Sequence, residues 1–399
     1  MIYMKVRINR KSRIYRLVRD VCHWWHLNRI NRSQYHTDKH IVVIESDDWG
    51  SVRTFSSATL DKLRTAGDTI LTDPFLRYDC LESEKDLDAL SNVLSEIHGS
   101  DGNPAVMTAN FAMANADFDS IKKTGRYHRE TIAETYKKYY GNNHIIEKII
   151  KYRDAKVFVP QLHCLEHLNV NRWMNDLKTK RADTLVALEN NMYGVSASFT
   201  KKNPFGYMDA FNYIDVEERT FLAQSIQLAS EWFQKTFGQA SESFVASCYV
   251  WDEYLEKELV DLNICHIQTA VHQHLPFYYS FREDTFRKRR HKMGARKRNG
   301  IYYTIRNCEF EPVFSEDIER AKERCVFQIK NAFSNRVPAI IASHRVNYIG
   351  GIDESNRERN LVALKELLTQ IVHQYPDVIF MSSDELGRKI LTERYEHQG

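Results

Sequence analysis

From residue 40 onward, short β-branched apolar runs alternate with longer stretches of helical periodicity, and this alternation limits the possible folds more than any other feature. Strands are expected at Ile41–Ile44, Ala105–Thr108, Lys156–Pro160, Ser243–Ala246, Cys265–Gln268, Ala339–Ala342 and Val378–Met381. Helical patterns fall between them at Glu84–Ile97, Thr131–Lys138, His144–Tyr152, Val216–Phe237, Trp251–Leu259, Ser315–Phe333 and Glu358–Gln374. Strands separated by helices pair in parallel, because each crossover helix returns the chain to the same end of the sheet. No G-x-G-x-x-G or G-K-[ST] loop follows a strand, which argues for a barrel over a nucleotide-binding sheet. The expected fold class is α/β: a deformed (β/α) TIM-like barrel of about seven parallel strands over residues 40–399. It carries a basic insertion around 269–314 and follows an N-terminal helical extension, residues 1–39.

In such a barrel the residues just after the strands converge on one rim, where these folds place their chemistry. Here those positions hold Asp47-Asp48, Asn110, His163, Tyr249 with Trp251, Gln268 and His344. Composition supports a large core, with 43% hydrophobic and 12% aromatic residues. The 56 basic and 53 acidic residues leave a net charge of +3, so nucleic-acid binding by the molecule as a whole is not expected. Seven scattered cysteines without a C-x-x-C pair argue against a zinc knuckle or a secreted disulfide framework. No signal-peptide h-region and no run of ~20 apolar residues is present, so a cytoplasmic location is expected.

Three motifs bear chemistry. In E-S-D-D-W-G-S-V-R (Glu45–Arg53) two adjacent aspartates end a strand, where mutual repulsion and burial both oppose ionisation. In Q-L-H-C-L-E-H, His163 and His167 stand four apart, a spacing that on a helical turn puts both imidazoles on one face for a shared metal. In A-S-H-R-V-N, His344 ends a late strand and can act as a general acid near neutral pH. One carboxylate and two histidines make a divalent-metal triad with open positions. The second carboxylate is then free to take a proton from water, and His344 to protonate a leaving group, which describes metal-assisted hydrolysis of an acyl group. Read literally, His163-x-x-Glu166-His167 also fits the inverted zinc-protease motif with Glu166 as base, and this alternative stays open.

Asp47-Asp48 after a strand, His163-x-x-x-His167 and a late strand ending in His344 together resemble the motifs of the polysaccharide deacetylases, carbohydrate esterases with a NodB-homology barrel. The motif order matches over roughly residues 40–390. The resemblance implies Asp47 as base and Asp48, His163 and His167 as ligands of a divalent ion, with Zn2+ the expected one. It also implies His344 as acid, with an acetylated glycan or glycan precursor as substrate. That family places an arginine beside the base and an aspartate beside the acid. Phe244–Trp251 lacks the arginine and Cys265–Gln268 the aspartate, which marks a divergent branch; Arg53 or Arg345 could supply the cation. Substrate contacts are expected from Trp49, Arg53, Tyr249, Trp251, Arg345 and Asn347. If the missing groups are not replaced, the alternative is a catalytically degenerate carbohydrate-binding barrel.

Two basic segments stand outside these motifs. Residues 5–30 interleave arginines with Ile14, Leu17, Val18, Val21, Trp24 and Trp25 at helical spacing, a basic amphipathic helix expected to pack on the domain body. Peripheral membrane contact through it is the second possibility. The run Arg287–Arg298 is read as a solvated part of the rim insertion.

Overall fold

The apolar run at Ile41 continues as strand well beyond Ile44, through Glu45, Ser46 and both aspartates to Trp49, and every residue of it is buried. The computed structural model describes residues 13–64, 73–194, 205–280, 285–315 and 317–395; residues 1–12 of the expected N-terminal extension lie outside them. In chain order the strands are β1 (Ile41–Trp49), β2 (Met107–Ala112), β3 (Ala114–Ala116), β4 (Arg129–Thr131), β5 (Phe158–Cys164), β6 (Ser243–Phe244) and β7 (His266–Thr269). They continue with β8 (His272–His274), β9 (Lys288–Arg290), β10 (Tyr302–Ile305), β11 (Cys308–Glu309), β12 (Ala339–His344) and β13 (Ile379–Phe380).

The main sheet is parallel and runs β10-β7-β6-β5-β2-β1-β12-β11, with β13 beside the first two residues of β1. Its two ends belong to one continuous segment. Tyr302–Ile305 pairs with β7, whereas Cys308–Glu309 pairs with β12. The switch takes one step: the Arg306 N–H donates to Thr269 and the Asn307 N–H to Ile340. The sheet is thus curled into a deformed barrel, closed along a seam at Arg306–Asn307. Helices Glu84–Ser95, His144–Asp154, Val216–Phe237, Ile318–Ser334 and Glu354–Gln374 pack around it, and the apolar core fills the space between sheet and helices. Among the described residues, no helix is long and apolar enough to cross a membrane.

Six expected strands lie on the barrel path, and the seventh, near Val378, forms β13 at the base of β1. The barrel strand at 302–309 lies within the stretch expected as insertion; the hairpin β8–β9 is the part of that stretch outside the barrel. The barrel's mouth is packed with polar side chains that satisfy one another. The Asn110 amide donates to Asp47 and Gln268 (2.8 and 2.9 Å), and that of Gln268 to Asn110 and Ser243 (3.1 and 2.8 Å).

The seam generates a prediction. Asn307 accepts from the Ile340 N–H (2.8 Å) and donates to Pro338 and Asn31 (2.9 and 2.7 Å), so its side chain extends the ladder where the backbone bends. Asn307→Ala leaves buried backbone groups unpaired and should cost about 2 kcal/mol or more, read as a lower urea midpoint. An unchanged midpoint would mean that the seam does not depend on this side chain.

Candidate active site

Successive side chains of a strand point to opposite faces, so Asp47 and Asp48 should diverge. They do not, because the β1–β2 register shifts between Ser46 and Trp49 and Asp48 adopts φ 75°. A non-glycine residue in this left-handed region costs on the order of 1–3 kcal/mol and persists only where its surroundings enforce it. The enforcing contacts are visible. Gly50, also left-handed, donates to Glu82 (3.0 Å), and Val52 donates to Asn115 (2.7 Å), whose amide returns to the Gly50 carbonyl (2.8 Å). A Cβ on Gly50 would lie 2.6 Å from the Ala112 carbonyl oxygen, so this turn admits only glycine. Trp49 anchors it from below, edge-on to Phe158 in the core, with its indole N–H on Ser46 (3.0 Å).

The turn aims Asp48 at two imidazoles. Its Oδ1 lies 3.1 Å from His167 Nε2 and 3.6 Å from His163 Nε2, and one ligand atom from each of the three residues lies within 4.8 Å of the others. His163 donates from Nδ1 to the Val245 carbonyl (2.7 Å), which leaves Nε2 as the lone-pair nitrogen. His163 Nε2 is buried without a hydrogen-bond partner, a cost that a bound cation offsets. Burial opposes ionisation of Asp48, but His167 and Arg53 outweigh it and hold the carboxyl well below its usual range. Burial is the largest influence on His167 and pushes its pKa down even with Asp48 beside it. Arg53 occupies the other Asp48 oxygen (2.9 Å), leaving Oδ1 facing the imidazoles. One carboxylate and two imidazoles fit Zn2+ or a similar divalent ion.

Asp47 is held by a different cation. Arg306, at the barrel seam, donates from Nη1 and Nη2 to the two Asp47 oxygens (2.6 and 2.7 Å) and from Nε to Glu45 (2.6 Å). Tyr249 and Gln268 accept its two remaining N–H groups (3.1 and 3.3 Å), so all five donors are engaged. Burial would raise the Asp47 pKa, but Arg306 outweighs it and keeps the carboxylate ionised well below its usual range. Glu45, deeper in the barrel, is raised by burial even with Arg306 and Ser383 bonded to it. On the neighbouring strand β12, His344 is the register partner of Asp47. Its Nδ1 lies 2.5 Å from Glu311, which in turn accepts from Asn347 (2.6 Å). Burial would lower the His344 pKa, but the Glu311 carboxylate outweighs it and raises it to about 9.

The structure therefore brings Asp47, Asp48, His163, His167 and His344 to one mouth, with Arg53 and Tyr249 beside them and partly exposed. The other expected substrate contacts are buried with internal partners. Trp49 is in the core, and Trp251 donates to Glu256 (3.1 Å). Arg345 is fully enclosed by Asp79, Glu82 and the Ser51 carbonyl, and Asn347 holds Glu311. His163 ends a strand and His167 follows it across bends, so the pair meets at a strand end and not on a helical turn. Glu166 accepts from Arg129 (2.6 Å) and Tyr127 (3.0 Å), which leaves the protease reading without its helix and without a free base.

Sequence reasoning missed Glu45, Arg306 and Glu311. Arg306 and Glu311 stand in T-I-R-N-C-E-F-E-P, polar groups after an apolar strand end like those found elsewhere, but hidden behind the neighbouring basic run.

No protein-family model and no curated protein matches the chain. Solved structures similar to it include a candidate glycoside hydrolase/deacetylase from Parabacteroides distasonis, at 9% identity and TM-score 0.48, covering 91% of this chain and 74% of that one. A candidate polysaccharide deacetylase from Mycobacterium smegmatis matches at 10% identity and TM-score 0.43, covering 90% and 93%. The 4-alpha-glucanotransferase of Thermococcus litoralis matches at 8% and 0.45, over 88% of this chain, which spans only 40% of that enzyme. Polysaccharide deacetylases are thus among the solved folds it resembles; at these scores the likenesses carry no functional argument.

The Glu311–His344 pair gives a pH prediction. His344 should titrate near 9 in metal-free protein, and Glu311→Gln should lower that value by at least about one unit, followed by NMR of the ring protons. Because the folded-state value is raised, the stabilisation is fully present below the ordinary histidine pKa of about 6.5 and is lost as pH rises through about 9. A wild-type value at or below the ordinary one would remove the ion pair from the account.

Proposed function

We propose that this protein is a metal-dependent deacetylase of an N- or O-acetylated glycan or glycan precursor, using Asp48, His163 and His167 as metal ligands, Asp47 as base and His344 as acid. The observation that carries this reading is the placement of two oppositely tuned groups, a clamped carboxylate and a protonated imidazole, on adjacent strands beside the Asp-His-His cluster. A divalent ion in that cluster supplies Lewis-acid polarisation of an acyl oxygen and acidifies water.

The chain's own groups do the rest. Asp47 takes the proton of the attacking water while Arg306 holds both its oxygens, fixing direction at some loss of basicity. The new bond joins the water oxygen to the acyl carbon; the bond to the sugar nitrogen or oxygen breaks, and His344 gives that atom its proton. Glu311 keeps His344 charged at neutral pH, so the acid is ready before the substrate arrives. Tyr249 and Arg53 border the mouth, and the half-buried Phe75 ring stands edge-on to His344 beside the exposed Phe314. The Arg53 guanidinium lies over the Phe75 ring, and the exposed Phe314 ring beside it offers an apolar surface suited to a sugar ring.

Acetate release from a panel of acetylated oligosaccharides tests the reading. Activity should vanish with a chelator and return with Zn2+, and Asp47→Asn should lower kcat by about a hundredfold or more with the protein still folded. Metal binding by Asp47→Asn should persist, whereas Asp48→Asn should weaken it. Full activity in chelator, or in Asp47→Asn, would sink the proposal.

A further inference from the structure

Positive charge is unevenly placed in this chain. The first 32 residues hold nine Lys or Arg against the single acid Asp20, whereas the whole chain carries +3, so the remaining 367 residues carry −5. The described part of that region is the helix Arg13–Ile30, which packs one face on the helix Ile318–Ser334. Trp24 meets Phe327 edge-on and His23 stacks on it, Leu27 is buried, and Asn28 accepts from Asn331 and Asn335 (2.8 and 2.9 Å). The face turned away from this contact is not polar. Val21 and Trp25, one turn apart, are 48% and 65% exposed, the latter the largest exposure among the described large hydrophobic residues.

Cations gather beside that apolar pair. Arg29 is exposed one turn further on, and the Arg290 guanidinium donates to the Arg29 carbonyl, which fastens β9 against the end of the helix. Lys288 and Arg290 are exposed on β9, and His272 is the register partner of Arg290 on β8. Burial lowers the His272 pKa, and every charge acting on it, from Arg290, Lys288 and His26, lowers it further. That marks a local field of one sign.

We infer that the exposed face of the helix around Val21, Trp25 and Arg29, with Lys288 and Arg290 of the hairpin, docks on the surface of an anionic phospholipid bilayer. An indole and an aliphatic side chain among cations suit the boundary between acyl chains and charged headgroups. A nucleic-acid backbone would match the charge but leave the Val21 and Trp25 pair without a partner. The inference does not rest on the proposed catalytic activity.

Co-sedimentation of the full chain with vesicles tests it. Vesicles of phosphatidylcholine with about one third phosphatidylglycerol should bind the protein at low salt and release it at high salt, while pure phosphatidylcholine should not bind. Val21→Ala with Trp25→Ala should weaken binding by about tenfold, and Arg29→Glu with Lys288→Glu should weaken it at least as much, at unchanged urea midpoints. Failure to bind anionic vesicles, binding to neutral ones equally well, or variants that bind like the wild type would each overturn the inference. So would retention by a DNA duplex in place of vesicles, which would assign the patch to nucleic acid.

Discussion

The site depends on one buried guanidinium. Arg306 places a single positive charge between Glu45 and Asp47, with none of its donors unspent. Removing three ions from water is costly, and such a cluster survives only when every hydrogen bond is made. The geometry that makes them all is the bend in the 302–309 segment, which turns residue 306 into the barrel while its neighbours pair in opposite directions. Closing the sheet and orienting Asp47 are therefore one structural event.

A second buried network does the same for Asp48. Arg345 joins Asp79 to Glu82, and Glu82 holds the Gly50 amide at the turn. Arg53 reaches from Asp79 to Asp48 and completes the chain of alternating charges. Burial pushes the Asp79 carboxyl up to about 6 even with Arg345 and Arg53 beside it. The adjacent aspartates are thus each tied to their own arginine, and their repulsion is absorbed by two networks that meet at β1.

Much of this was legible in the sequence, for identifiable reasons. Apolar runs of the right length announced β1, β2, β5 and β12, and the polar residue after each run pointed to the mouth. The helix Val216–Phe237 fell where periodicity put it, because Asp215 caps its start and Gly238 its end. The strand at 302–309 was harder to see, since Arg306 and Asn307 interrupt its apolar pattern and a basic run precedes it. Arg306 and Glu311 were missed as partners of Asp47 and His344 for the same reason. Burial of Arg345 and Trp251 was also invisible, because a residue near a strand end can face the mouth or the layer beneath it. Only tertiary packing decides between the two.

The seam has a consequence for how this protein could change over time. Arg306 serves both the wall of the barrel and the carboxylate inside it, so a lineage without the proposed chemistry would still be obliged to keep it. Its persistence in a related sequence would say little about turnover. Glu311 and His344 carry no such double duty: their ion pair lies at the mouth and takes no part in closing the sheet. In this architecture the record of whether the site is still used would be written in that pair, not in the arginine that looks most indispensable.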